Sequence, residues 1–97
     1  MINVGFFYSV VSGKEEEFEE TFKGVIKFLR ENDTGIREVR LYRDVLNAGE
    51  YMIFSEWDSV ESFREFISSR PFKETTEHGK NILRGKPRHI ILKAEEP

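Results

Sequence analysis

The chain has 97 residues, 38% of them apolar and 13% aromatic, with nine Phe, no Cys and a formal net charge of −3. That is enough apolar material for one small core and too much for a disordered chain. The acidic balance argues against nucleic acid or an anionic membrane as partner, since both need a basic field, and the lack of Cys excludes a disulfide scaffold and thiolate chemistry.

Residues 2–11 read as the first strand. Ile2, Val4, Phe6, Tyr8 and Val10 fall on one face and Phe7 and Val11 on the other, so both faces call for cover. Ser12 and Glu15 have capping-box spacing, which predicts a helix starting at Ser12. Phe18, Phe22, Val25, Ile26 and Leu29 then make one apolar stripe. Asn32-Asp33-Thr34-Gly35 ends that helix.

Residues 36–46 read as a strand, with Val39, Leu41, Arg43 and Val45 alternating with Glu38, Arg40, Tyr42 and Asp44. The turn signal Asn47-Ala48-Gly49-Glu50 predicts a hairpin to a partner strand at 51–57, again apolar on both faces. Asp58, with Glu61 three residues on, is expected to cap a second helix carrying Val60, Phe63, Phe66 and Ile67. Pro71 can open a third helix, with Phe72, Thr75, Thr76, Gly79, Ile82 and Leu83 on one side and Gly85 as its stop. Residues 87–94 are the last strand.

The order β-α-β-β-α-(α)-β is the split βαβ, ferredoxin-like α+β arrangement, a four-stranded antiparallel sheet with helices on one face. Nothing in the chain marks a domain boundary, so residues 1–97 are expected to form one domain. Helices cover only one face, and the apolar residues of the other predict a homodimer. No apolar run approaches the roughly 20 residues of a membrane span. Met1 to Gly5 lacks the basic start of a signal peptide, so no membrane association and a cytoplasmic location are expected. A charged fraction of 34% without Gln leans toward a thermophilic source.

Among groups able to do chemistry, His78 sits about 100° from the centre of the third helix's stripe, a boundary position. His89 is expected at the surface or an interface. Tyr8 shares a face with Phe6 and is placed to donate or orient through its hydroxyl. Arg37, Arg40 and Arg43 are expected to pair with Glu38, Asp44 and Glu50. No His-x-x-x-His or Asp-x-Asp pattern calls for a metal site, and no glycine-rich phosphate loop calls for a nucleotide.

The strand Tyr51 to Trp57, the helix start Asp58-Ser59-Val60-Glu61-Ser62-Phe63, and Ser69-Arg70-Pro71-Phe72-Lys73 together resemble the antibiotic biosynthesis monooxygenase (ABM) superfamily. The resemblance implies a dimeric α+β barrel with a pocket between sheet and helices in each protomer. It also implies activities that include cofactor-free oxygenation of polycyclic aromatics, haem degradation and small-molecule isomerisation. The positions that the haem-degrading branch fills with Asn, Trp and His fall at Phe6, Phe66 and Thr76. In the anthrone-oxygenase branch Trp57 matches the Trp, and the Tyr position falls at Phe63. The expectation is therefore a small-molecule-binding protein, acting as a cofactor-independent monooxygenase on an aromatic substrate. The alternatives are a non-catalytic ligand- or haem-binding dimer and a small isomerase using His78. Tyr8, Trp57 and His78 are the catalytic candidates. Phe6, Tyr8, Phe63, Phe66, Phe72 and Thr76 are the expected pocket, and neither a cofactor nor a metal is expected.

Overall fold

The computed structural model describes residues 1–95. The elements are β1 (Ile2–Ser9), α1 (Glu15–Glu31), β2 (Ile36–Arg43), β3 (Glu50–Trp57), α2 (Val60–Ile67), α3 (Arg70–Gly79) and β4 (Arg88–Leu92). The sheet order is β2-β3-β1-β4, and every neighbouring pair is antiparallel. This is the ferredoxin-like α+β fold that the element order predicts. No helix is long and apolar enough to cross a membrane among the described residues.

Strand register turns the alternation of the sequence into two chemically distinct faces. Across the sheet, Leu41, Ile53, Phe6 and His89 form one row of the helix-covered face, and Val39, Ser55, Val4 and Ile91 form the next. The opposite face carries the rows Tyr42, Met52, Phe7, Arg88 and Arg40, Phe54, Gly5, Ile90.

The core under the helices is two clusters rather than one. Ile2, Val4, Leu29, Trp57, Phe63 and Phe66 form the first; Val10, Phe18, Tyr51 and Ile82 form the second. Trp57 is the largest fully buried side chain. Its ring meets Phe63 and Phe66 with centroids 5.6 and 5.4 Å away. Its indole N–H donates to Ser55 Oγ at 2.9 Å, and that hydroxyl donates to the Val4 carbonyl at 3.1 Å. Both polar side-chain atoms of this buried pair thus keep a partner.

Several element ends differ from the sequence reading. α1 starts at Glu15, and Ser12 does not cap it. Gly13 takes φ +89 and Lys14 N–H donates to the Val11 carbonyl at 2.9 Å, so a turn occupies the expected first helical turn. The Glu15 carboxylate reaches back to Gly13 N–H at 2.8 Å. α2 is capped by Ser59, whose hydroxyl accepts from Ser62 N–H at 3.1 Å, while Asp58 turns outward to Arg37. α3 ends at Gly79, well before Gly85. β2 ends at Arg43 because the Asp44 carboxylate accepts from the backbone N–H of Leu46 and Asn47 and opens the turn there. Val45, expected on the strand's apolar face, is 83% exposed.

The cap assignments predict contrasting mutants. Ser59→Ala is expected to lower stability by about 1 kcal/mol and Ser12→Ala by less than about 0.5 kcal/mol. Urea unfolding followed by circular dichroism reads the difference, and equal effects would contradict the assignment.

Candidate functional site

A cavity of about 610 Å³ lies in the gap between the two core clusters. Its floor is the inner sheet face, with Phe6, Tyr8, Ile53 and Trp57. One wall is α1, through Phe18, Phe22, Val25 and Leu29, and the other is α3, through Phe72, Thr75, Thr76 and Gly79. The segment after α3 closes an end with Ile82, Leu83 and Pro87.

Local sequence explains why space is left here. At the first cluster Trp57, Phe63 and Phe66 pack solidly against the sheet. The short α3 then carries Thr75, Thr76 and Gly79 toward the gap, all smaller than the aromatics that fill that end. The Thr75 hydroxyl donates to the Pro71 carbonyl at 2.9 Å and does not reach into the space. Phe72 meets Phe66 at 5.2 Å and Phe6 at 6.2 Å, holding α3 off the strands.

Of the expected pocket residues, Phe6, Tyr8, Phe66, Phe72 and Thr76 line the cavity, and Trp57 lines it too. Phe63 is 1% exposed, packed between Trp57 and Phe6 in the core, and is not part of the lining. His78, the boundary candidate, is placed away from it too. It lies on the outer side of α3, where Nε2 meets a Glu17 carboxylate oxygen at 3.1 Å, and it does not line the cavity. Of the helices, α2 supplies Phe66 to the lining while α1 supplies a whole wall. The α1 stripe was legible as apolar, but periodicity alone does not tell a residue that fills a core from one that lines a hole.

The remaining candidates are elsewhere. His89 is exposed on the edge strand, facing the helix side with its ring 5.1 Å from Phe6. Arg40 pairs with Glu38 at 2.8 Å as expected, whereas Arg37 pairs with Asp58 and Glu50 takes Arg84 at 3.2 Å. Among the described residues no cluster of three or more His, Asp or Glu is placed to hold a metal ion.

Tyr8 is the titratable side chain that the sheet floor sends into the cavity. Its ring lies between Phe6 at 6.0 Å and Phe18 at 5.3 Å. Burial pushes its phenol from 10.0 up to about 12, because the charged form loses water. Among the described residues its hydroxyl has no hydrogen-bond partner. It therefore stands protonated at neutral pH, a free donor and acceptor facing an apolar space. Tyr51 is different. Burial, and then the Glu19 carboxylate to which its hydroxyl donates, raise it to about 12, and that bond occupies it.

A raised phenol stabilises the fold fully below pH 10 and loses that contribution as pH climbs through about 12. Tyr8→Phe is expected to shrink the fall in urea midpoint between pH 10 and 12, with part of the fall left to Tyr51. An unchanged alkaline fall would show that Tyr8 ionises as freely as an exposed tyrosine.

A family model described as antibiotic biosynthesis monooxygenase matches residues 1–78. The chain is 36% identical over 89 residues to a Haloquadratum walsbyi protein named "Putative heme-binding protein", covering 92% of this chain but only 17% of that one. It therefore spans less than a fifth of the length of the curated relatives it matches. Among solved structures, a conserved protein from Methanosarcina mazei matches with a TM-score of 0.89 at 22% identity, over 97% of this chain and 92% of that one. SnoaB, a cofactor-independent oxygenase from Streptomyces nogalater, matches with a TM-score of 0.84 at 17% identity, over 99% and 94%. Both likenesses are likenesses of fold. The domain match, the sheet order and the cavity beneath the helices agree, and the chain belongs to the antibiotic biosynthesis monooxygenase family.

Proposed function

We propose that this protein binds a flat, largely apolar small molecule in the inner cavity, with the Tyr8 hydroxyl as its hydrogen-bonding handle, and that it does so as a twofold dimer. One observation carries the reading. An apolar cavity of about 610 Å³, inside the usual range for ligand sites, contains a protonated, unpartnered phenol. A neutral phenol donates to a carbonyl or quinone oxygen and does not act as a base, so the site favours an oxygenated aromatic.

The dimer rests on the other sheet face. Phe7, Met52 and Phe54 are half-buried there, while Tyr42, Ile90 and Leu92 are 46%, 37% and 52% exposed. Together they form a contiguous apolar patch across all four strands, of the kind that marks an interaction surface. A second copy related by a twofold axis offers the same patch in return.

Haem is the ligand that the relatives' names suggest. The three positions where the haem-degrading branch places Asn, Trp and His are Phe6, Phe66 and Thr76, and all three line the cavity. The side chains at these positions offer no imidazole for iron. Among the described residues the lining holds no His, Cys or Met, and the phenol of Tyr8 is held protonated. These residues do not fit an axially ligated haem, and the matched region is a small part of each relative's length.

Cofactor-independent oxygenation is a second reading, supported by Trp57, which lines the cavity at the family's Trp position. The residues here orient and desolvate a substrate. With no His or carboxylate in the lining among the described residues, the substrate must supply its own acidity.

Two measurements test the proposal. Anthracene-9-methanol is expected to quench Trp57, the sole Trp, and Val25→Phe, which fills the cavity, to weaken binding about tenfold, roughly 1.4 kcal/mol. Light scattering should give about twice 11.5 kDa, and Phe54→Arg should shift it to monomer. A clean wild-type monomer, or quenching unaffected by Val25→Phe, would overturn the corresponding half.

A further inference from the structure

The charges around the cavity are one-sided. The chain carries 18 acidic and 15 basic residues, yet among the described residues the charged side chains in the cavity lining are Lys80 and Lys86. Both stand on the same rim, where the chain leaves α3 and returns to β4. From Lys80 to Lys93 there are five cations (Lys80, Arg84, Lys86, Arg88, Lys93) and no Asp or Glu.

The backbone fixes this segment against the sheet. Val11 N–H donates to the Ile82 carbonyl at 2.8 Å, and Arg84 N–H donates to the Ser9 carbonyl at 2.8 Å. The rim is therefore tied to the end of β1, next to Tyr8. Its cations are engaged to different degrees. Lys80 meets Glu77 at 3.1 Å within one exposed turn, and Arg84 meets Glu50 at 3.2 Å. Arg88 lies over the Phe7 ring at 4.4 Å, on the opposite sheet face. Among the described residues Lys86 makes no ion pair, and it borders both the cavity and the open groove at the sheet's end.

An apolar cavity that ends in an uncompensated ammonium group selects by charge as well as shape. A ligand whose apolar body fills the cavity can leave one anionic oxygen at the rim. Beside the low-dielectric wall, that oxygen feels Lys86 and Lys80 more strongly than it would in open water. From this we infer that the ligand is an amphipathic anion: a flat apolar body bearing one acidic group, a carboxylate or an enolate, ionised at neutral pH and held at the Lys80–Lys86 rim. This rests on the proposed cavity function and narrows its ligand class. Where the acidic group is an enolate, the ligand also brings the deprotonated carbon framework that oxygenation needs; a carboxylate is bound at the rim without that activation.

The test compares two probes of one shape, anthracene-9-carboxylate and anthracene-9-methanol, by quenching of Trp57 in the purified full-length protein. At low ionic strength the carboxylate is expected to bind about fivefold more tightly, a gap that salt narrows. Lys80→Gln with Lys86→Gln should bring the carboxylate down to the alcohol's affinity, and Lys86→Glu should make it the weaker of the two. Unfolding midpoints of each variant confirm an intact fold. Equal affinities in the wild type, or a gap that survives both lysine substitutions, would overturn the anionic ligand class while leaving the cavity proposal standing. Failure of both probes to bind would overturn the two together.

Discussion

The structure depends on how one buried tryptophan is accommodated. Trp57 ends β3 beneath α2, and its indole N–H needs a partner that an apolar core does not offer. Ser55, two residues earlier on the same face, provides the oxygen and passes its own proton to the backbone of β1. With that bond made, Phe63 and Phe66 pack against the ring, and one end of the sheet is sealed. A serine to alanine change would strand the indole donor, a loss of about 1–3 kcal/mol for an unpaired buried group.

Sealing one end so tightly has a consequence at the other. The aromatic bulk of α2 is spent against Trp57, and α3 carries threonines and glycine toward the middle of the sheet. Tyr51, Phe18 and Ile82 close a second cluster. Between the clusters the walls come from helices held apart by Phe72 and Phe18, and the cavity is the space they cannot fill. The function proposed for the chain rests on this division of its core.

Strand alternation was the most legible feature, because its period of two admits only two faces. On β1 it put Phe6 and Tyr8 on one face and Phe7 on the other, and the strand register keeps that division across the sheet. Helix ends were less legible. Ser12 and Asp58 both have capping chemistry, but a left-handed glycine shifted the first start and an arginine drew Asp58 outward. The pocket was half legible. Phe6 and Phe66 lie where parity and stripe place them, whereas the α1 stripe reads identically whether it fills a core or walls a cavity. Phe63 went to the core because its neighbour Trp57 is large enough to claim it. His78 stood at a helix boundary angle, and Glu17 on α1 decided on which side it would settle.

Tyr8 shows how one environment narrows the chemistry open to a family fold. Two phenols in this chain are raised to about 12, but for partly different reasons. Tyr51 owes part of its shift to Glu19, and the bond that raises it also consumes its hydroxyl. Tyr8 owes its shift to desolvation alone, so its hydroxyl stays free. The same apolar walls that make the cavity attractive to an aromatic body keep its polar residue from ionising. A site built this way gives up base catalysis and keeps a hydroxyl that no other side chain among the described residues engages. Among the described residues the charged side chains of the lining are the lysines at the rim, so the proposed ligand would meet two ends of unlike character: a neutral phenol inside and ammonium groups outside.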